Sequence, residues 1–224
     1  MGFCPGPGGN MDYKQLTVDA GLRLINSGLT VATWGNISAR DPEKDLVYLT
    51  PSGMDYSVIT PDDIVVCDMD RNVVEGSRKP TIEKDLHIES YRARPDINAI
   101  VHTHAVDSTV FACMGEDIPV ITDEAAQVLG GPVKRAEYAL PGTMDLAYNC
   151  VKALGKDSMA CLLQSHGAVC LGFDMNEAFR VSKVLEMTAL IYYKIRSIGA
   201  RALPMSEEDI AFMRDFMKNK YGQR

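Results

Sequence analysis

The sequence predicts a single α/β domain of three layers, an α/β/α arrangement with a mostly antiparallel or mixed central sheet. The chain has 224 residues, of which 46% are apolar and 24% are charged, as is usual for a folded globular domain. Strand-like segments bunch in the middle of the chain, and helix-like segments flank them. Several connections between the predicted strands are too short for the crossovers that parallel strands need, which favours antiparallel pairing.

The helices are predicted from apolar residues at helical spacing and from end signals. Gly28 follows the first helix as a stop signal, and Thr81 is the expected N-cap of the second. Acidic residues in the first turn of the last helix suit its dipole. The predicted helices are 13–27, 81–94, 108–114, 143–154, 176–198 and 206–219.

Short apolar runs separated by turn residues predict the strands. Asp41-Pro42, for example, separates the first two runs. The predicted strands are 36–40, 46–49, 64–68, 73–74, 99–104, 159–163 and 168–171.

Charge, hydropathy and cysteine content exclude several classes of protein. A net charge of −7 gives no basic surplus for nucleic acid. The sequence has no run of 18 apolar residues, so no membrane helix is predicted. Residues 1–10 lack the features of a signal peptide. We expect these ten residues to be a flexible leader and residues 11–224 to be the domain. Six cysteines without a C-x-x-C pair indicate reduced thiols in a cytoplasmic protein.

The histidines suggest a metal site. Residues two apart on a strand share a face, so His102 and His104 are expected to project together. His166 lies at a Ser-His-Gly break between two predicted strands. Three histidines with one open position are typical of catalytic zinc. The alternative is that His102 and His104 are a chance pair and that His166 is an ordinary hydrogen-bonded loop residue.

Glu83 begins the helix before the His102 strand. Such a carboxylate is a fourth ligand, a general base, or simply an acid that suits the helix dipole. His87, one turn later on the same side, is an alternative ligand or a residue that packs or orients a neighbour.

Two polar segments that contain glycine, 33–38 and 50–53, are suited to binding a phosphate or carboxylate through backbone amides and polar side chains. The alternative is that they are ordinary turns. Neither has the glycine pattern of a nucleotide-binding loop.

Together these segments resemble the class II aldolase/adducin head family over about residues 16–221, and within it the zinc-dependent L-fuculose-phosphate aldolases most strongly. The motifs are Gly35-Asn36-Ile37-Ser38, Thr50-Pro51-Ser52-Gly53, Pro80-Thr81-Ile82-Glu83, the run from Tyr91 to His104, and Ser165-His166-Gly167.

The resemblance implies a lyase that cleaves a ketose 1-phosphate to dihydroxyacetone phosphate and an aldehyde. It implies one Zn²⁺ per subunit, held by His102, His104, His166 and, without substrate, Glu83, which then moves protons. It implies a phosphate grip by Asn36, Ser52, Gly53 and Thr81. It also implies that Tyr221 protonates the aldehyde oxygen, in a neighbouring subunit of a homotetramer with sites at subunit interfaces.

Departures from the family pattern concern the substrate. Ile82 stands where the aldolases usually have a second serine, and Asp123 and Glu124 stand near a position that is usually tyrosine. A decarboxylase or dehydratase on the same scaffold therefore stays open. So do a 4-epimerase, although epimerases of the family usually carry Asp at the Glu83 position, and an adducin-like binding module without catalysis.

Overall fold

The computed structural model describes residues 11–220; the predicted leader at residues 1–10 and Tyr221 lie outside these described residues. The helices are α1 (Tyr13–Asn26), α2 (Lys84–Ala93), α3 (Val106–Met114), α4 (Asp123–Leu129), α5 (Met144–Leu154), α6 (Met175–Ser197) and α7 (Glu207–Asn219). The strands are β1 (Asn36–Asp41), β2 (Leu46–Leu49), β3 (Val65–Asp68), β4 (Val73–Glu75), β5 (Ala99–Thr103), β6 (Lys134–Ala136), β7 (Ala160–Leu163) and β8 (Gly167–Gly172).

The strands form one sheet in the order β4-β3-β2-β1-β5-β8-β7-β6. Every neighbouring pair is antiparallel except β6 and β7, which are parallel at one edge. The predicted α/β fold with a mostly antiparallel, mixed sheet is therefore confirmed. No helix between residues 11 and 220 is both long and apolar enough to cross a bilayer.

The two faces of the central strands bury different kinds of side chain. On one face, Ile37, Val101 and Phe179 of α6 belong to an apolar cluster that includes α1. On the other face, the β1–β5 register pairs Asn36 with His102, so their side chains are neighbours. Helix α2 packs over this polar part of the sheet, where Tyr91 hydrogen-bonds Ser38. The register and α2 thus bring the polar residues to one face.

The predicted N-cap of α2 is wrong. The cap is Glu83, not Thr81, because the segment before the helix pairs with another part of the chain. The Thr81 amide donates to the carbonyl of Thr50, and Pro80 bridges to Pro51. This long-range pairing keeps Thr81 out of the helix.

Helix α3 begins at Val106, two residues before the predicted start. Glu186 of α6 provides the reason, since its carboxylate accepts hydrogen bonds from the amides of Asp107 and Ser108 at 2.8 and 2.9 Å. A side chain 79 residues away in sequence therefore satisfies the free amides at this helix end.

Two elements were not predicted from the sequence. Helix α4 has seven residues, is capped by the Thr122 side chain and ends at Gly130 with φ of 79°. Strand β6 has three residues, of which two are basic, and pairs with β7 at the edge of the sheet. Both are too short to show a clear hydrophobic period.

Candidate metal centre

Three separate segments bring the candidate ligands together. His102 lies near the end of β5, and His104 follows the strand directly, where its amide donates to the carbonyl of Leu29. His166 lies in the turn between β7 and β8, and Glu83 caps α2. The structure therefore joins a strand end, a hairpin turn and a helix start at one point.

The imidazoles of His102, His104 and His166 form a compact group whose ligand atoms all lie within 4.8 Å of one another. The Nε2 atom of His102 lies 3.1 Å from Nε2 of His104 and 3.3 Å from Nε2 of His166. The Glu83 carboxylate closes the group, with Oε2 3.1 Å from Nε2 of His102 and Oε1 3.4 Å from Nε2 of His166. His102 and Glu83 are buried, whereas His166 is 13% exposed.

Gly167 permits this close approach of the turn to β5. A Cβ at this position would lie 2.2 Å from the carbonyl oxygen of Thr103, a distance that no side chain tolerates. Glycine is therefore required beside His166 for β8 to reach the strand that carries His102.

The tautomer of His102 is fixed by its other ring nitrogen. Its Nδ1–H donates to the carbonyl of Ala168 at 2.9 Å, so the lone pair of Nε2 faces the cluster. A backbone carbonyl in this position is the usual support of a metal-ligating histidine.

The electrostatics favour neutral imidazoles. Burial, followed by the charge of His102 and His166, lowers the pKa of His104 to about 3. Burial and the charge of His102 lower the pKa of His166 to about 4. Burial raises the pKa of Glu83, but nearby imidazoles and an Asn36 hydrogen bond outweigh it and hold that pKa below its ordinary value. Near pH 7 the rings of His104 and His166 are therefore uncharged beside the buried Glu83 carboxylate.

These residues fit a zinc ion. Zinc bonds of about 2.0–2.1 Å in a tetrahedron separate the ligand atoms by about 3.3 Å, close to the four distances of 3.1–3.4 Å that join His102 to His104 and His166 and Glu83 to His102 and His166. Glu83 Oε1 is buried and has no hydrogen-bond partner among the described residues. A divalent cation would satisfy this oxygen and the facing lone pairs of the imidazoles.

A hydrogen-bonded chain runs from Glu83 into the protein. Asn36 Nδ2 donates to Glu83 Oε2 at 2.7 Å, and His87 Nε2 lies 2.5 Å from Asn36 Oδ1. His87 Nδ1 lies 2.6 Å from the hydroxyl of Ser38, which lies 2.8 Å from the hydroxyl of Tyr91. Among the alternatives stated for His87, this arrangement supports orienting a neighbour rather than binding the metal.

The residues proposed for the phosphate lie on backbone segments that the structure brings together. The Ser52 amide donates to the carbonyl of Lys79, and the Thr81 amide donates to that of Thr50. The Thr50 hydroxyl accepts from the Ile37 amide, which links this pair of segments to the start of β1 beside Asn36. Ser52 and Gly53 are exposed, whereas Thr81 is buried and its hydroxyl accepts from the Glu83 amide.

The residues that depart from the family pattern lie differently. Ile82 is next to Glu83 yet 63% exposed. Asp123 and Glu124 are exposed in the first turn of α4, and within residues 11–220 neither carboxylate contacts the imidazole cluster.

Sequence analysis included several residues around the centre in its segments and motifs but gave them no individual role. Trp34 stacks beside His104 with ring centroids 6.3 Å apart, and Ser38 and Tyr91 extend the chain below Glu83. Their spacing was a signal for the last two: Ser38 is two residues from Asn36 on a strand, and Tyr91 is four from His87 on a helix.

Comparison with known proteins identifies relatives along most of the chain. Residues 15–193 match the family model for the class II aldolase and adducin N-terminal domain. A 5-deoxy-D-ribulose 1-phosphate aldolase from Bacillus thuringiensis serovar kurstaki is 38% identical over 94% of this chain and 97% of its own. An L-ribulose-5-phosphate 4-epimerase from Salmonella paratyphi C is 32% identical over 94% and 98%. The solved structure of an L-fuculose 1-phosphate aldolase, 38% identical, superimposes with a TM-score of 0.89 over 94% of this chain and 98% of that one.

Proposed function

The chain belongs to the class II aldolase and adducin N-terminal domain family, and on that premise we propose that it is a zinc-dependent aldolase acting on a ketose 1-phosphate. The products are dihydroxyacetone phosphate and an aldehyde. L-fuculose 1-phosphate and the related 5-deoxy-pentulose 1-phosphates are the candidate substrates. The observation that carries the proposal is the convergence of His102, His104 and His166 with Glu83.

The proposed zinc ligands are His102, His104, His166 and, before substrate binds, Glu83. Bound there, zinc supplies a Lewis acid for the oxygens of the sugar. The hydrogen bond from Nδ1 of His102 keeps its Nε2 turned inward, and burial lowers the pKa of His104 and His166 so that these two rings are uncharged at neutral pH.

In this mechanism Glu83 moves the proton of the reacting carbon. A buried carboxylate at the start of α2, held by Asn36, has the position and chemistry of a general base. Neutral donors bind the substrate phosphate. They come from the exposed turn at Ser52 and Gly53, from Thr81 and from the amide hydrogen of Asn36 that Glu83 does not use. Arg78, which is close in sequence, is engaged by Asp63 at 2.7 Å. We assign protonation of the aldehyde oxygen to Tyr221.

The test is an aldol assay with dihydroxyacetone phosphate and either lactaldehyde or glycolaldehyde, with and without a chelator. Turnover that a chelator abolishes and zinc restores supports the proposal. Absence of metal-dependent turnover on every aldehyde tested contradicts it. A panel of ketose 1-phosphates in the cleavage direction identifies the substrate.

A sugar-phosphate 4-epimerase is the second candidate, because the Salmonella relative carries that activity in its name. Inversion at C4 of a pentulose phosphate without formation of an aldehyde distinguishes it from the aldolase. Release of carbon dioxide, or a dehydrated product, identifies the decarboxylase or dehydratase alternatives. Metal analysis of the purified protein tests for the non-catalytic module, which has no need of a metal.

We further propose a homotetramer with its sites at subunit interfaces. Trp34 beside His104 is 60% exposed and Val106, just beyond it, is 67% exposed, so apolar surface adjoins the site. We propose that a second copy covers this surface and that its Tyr221 acts at this centre. Sedimentation equilibrium tests the proposal, and a monomer would contradict it.

We also propose a cytoplasmic location, one domain over residues 11–224 and a leader over residues 1–10. The cysteines among the described residues are all free thiols, as a reducing compartment favours. Limited proteolysis that removes only the leader would support the boundary.

A further inference from the structure

His87 is a polar side chain in a fully buried position on α2, one turn after Glu83. An apolar residue would pack there without the cost of burying an imidazole. Both ring nitrogens have partners, Asn36 Oδ1 on one side and the Ser38 hydroxyl on the other. The position of the ring is therefore determined by hydrogen bonds as well as by packing.

The direction of each hydrogen bond in this chain follows from the Glu83 carboxylate. A carboxylate only accepts, so the amide of Asn36 must turn its NH₂ group to Glu83 and its oxygen to His87. That oxygen only accepts, so His87 carries its hydrogen on Nε2 and accepts from the Ser38 hydroxyl at Nδ1. Every donor from Ser38 onward points towards the carboxylate.

The two carboxylate oxygens of Glu83 therefore differ. Oε2 already accepts a hydrogen bond from Asn36 Nδ2, and a proton placed on it would compete with that donor. Oε1 has no hydrogen-bond partner among the described residues. When Glu83 is not bound to the metal, this oxygen is the one that is free to take and return a proton.

We infer that His87 is a positioning residue: it holds the Asn36 amide in the orientation that engages Oε2 of Glu83 and leaves Oε1 to carry the substrate proton. The inference rests on the proposed function. In the proton-transfer step the C–H bond of the substrate breaks, its electron pair stays on carbon and the proton goes to Oε1. The reverse step returns the proton to carbon. His87 touches neither the substrate nor the proton.

Replacement of His87 by residues of matched length isolates its hydrogen bond to Asn36. In His87→Gln the amide nitrogen reaches the place of Nε2 and still donates to Asn36. In His87→Met a side chain of the same length has no donor, so Asn36 Oδ1 loses its hydrogen bond and only Glu83 is left to orient the Asn36 amide. Tyr91→Phe is the control, because it removes a buried hydroxyl from the far end of the chain and leaves the His87–Asn36 bond in place.

The assay follows exchange of the carbon-bound proton of dihydroxyacetone phosphate with deuterium from the solvent by NMR, without any aldehyde. Rates are expressed per bound metal ion, and the melting temperature of each metal-free variant is measured beside them. We expect His87→Met to lose about 30-fold, a part of the roughly 10²–10⁴-fold that general acid–base catalysis contributes, and His87→Gln and Tyr91→Phe to stay within about threefold of wild type. We expect lower melting temperatures for both His87→Met and Tyr91→Phe.

Several outcomes would overturn the inference. Exchange by His87→Met at the wild-type rate would do so, as would equal losses in His87→Met and Tyr91→Phe, or a failure of His87→Gln to recover the rate. If His87→Met does not fold, His87→Asn replaces it, since its shorter amide reaches Ser38 but not Asn36. A wild-type protein that exchanges no proton would overturn the proposed function itself, and this inference with it.

Discussion

Glu83→Gln tests whether the carboxylate moves a proton or only binds metal. The substitution keeps the shape of the side chain, and its amide oxygen still accepts the Asn36 hydrogen bond that is 2.7 Å long in the wild type. The three imidazoles remain to hold the metal. What disappears is the carboxylate that accepts the proton of the substrate carbon, so the loss falls on the chemical step.

General acid–base catalysis contributes about 10²–10⁴-fold, which corresponds to about 3–5 kcal/mol of the activation free energy. We therefore expect Glu83→Gln to keep one metal ion per chain and to lose at least about 10²-fold in both aldol turnover and deuterium exchange. Metal content is measured by elemental analysis, and turnover is measured with dihydroxyacetone phosphate and lactaldehyde.

Glu89→Gln on the same helix is the matched control. Glu89 is mostly buried and ion-paired with Arg71 and Arg92 at 2.9 and 2.8 Å, away from the imidazoles. Its variant should lose stability but keep its turnover. A metal-loaded Glu83→Gln enzyme with the turnover of wild type would remove Glu83 from the mechanism.

Other expectations concern the metal, the turn beside it and the partly buried ion pair of Arg94 and Asp96. Removal of the metal by a chelator should lower the melting temperature as well as abolish turnover. A metal ion at 1,000 times its Kd stabilises the folded chain by about 4 kcal/mol, which raises the melting temperature by roughly 8–16 °C for a chain of this size. An unchanged melting temperature in calorimetry would contradict a metal site that only the folded chain forms. Gly167→Ala should cost about 3 kcal/mol or more in urea denaturation and weaken metal binding, because its Cβ would lie 2.2 Å from the Thr103 carbonyl oxygen. Asp96→Asn should destabilise the protein at neutral pH, because the hydrogen bond from Arg94 holds the pKa of Asp96 below its ordinary value. The stabilisation by ionised Asp96 is present above the pKa that Asp96 has in the unfolded chain, and it is lost as the pH falls through the lower pKa of the folded chain. The denaturation midpoints of wild type and Asp96→Asn should therefore converge in acid. A difference between the midpoints that persists in acid would refute the ionised carboxylate as the cause.

The sequence predicted most of the fold because most elements carry local signals. The long helix α6 shows the helical period over many turns, and its observed range differs from the predicted one by one residue at each end. The helix starts that were misplaced depend on distant residues. Glu186 caps α3 from another helix, and the pairing of Pro80 with Pro51 delays the start of α2. Neither effect has a signature in the neighbouring sequence.

The candidate site was predictable to a similar extent and for the same reason. Local periodicity predicts that His102 and Asn36 each share a strand face with the residue two positions away, and that Glu83 and His87 share a helix face. It does not predict which strand lies beside which. Only the antiparallel register that sets Asn36 opposite His102 brings the two sets together.

This register has a consequence for how the site depends on the fold. A slip of one residue between β1 and β5 would turn Asn36 to the opposite face of the sheet and replace it with Ile37, which belongs to the apolar cluster on the α1 side. The same backbone hydrogen bonds between β1 and β5 therefore position two groups of side chains. These are the polar pair of Asn36 and His102 beside Glu83 and the apolar layer beneath α1. Burial of Ile37 and Val101 on one face enforces the register that the Asn36–Glu83 contact requires on the other. The apolar core thus determines the position of the proposed base.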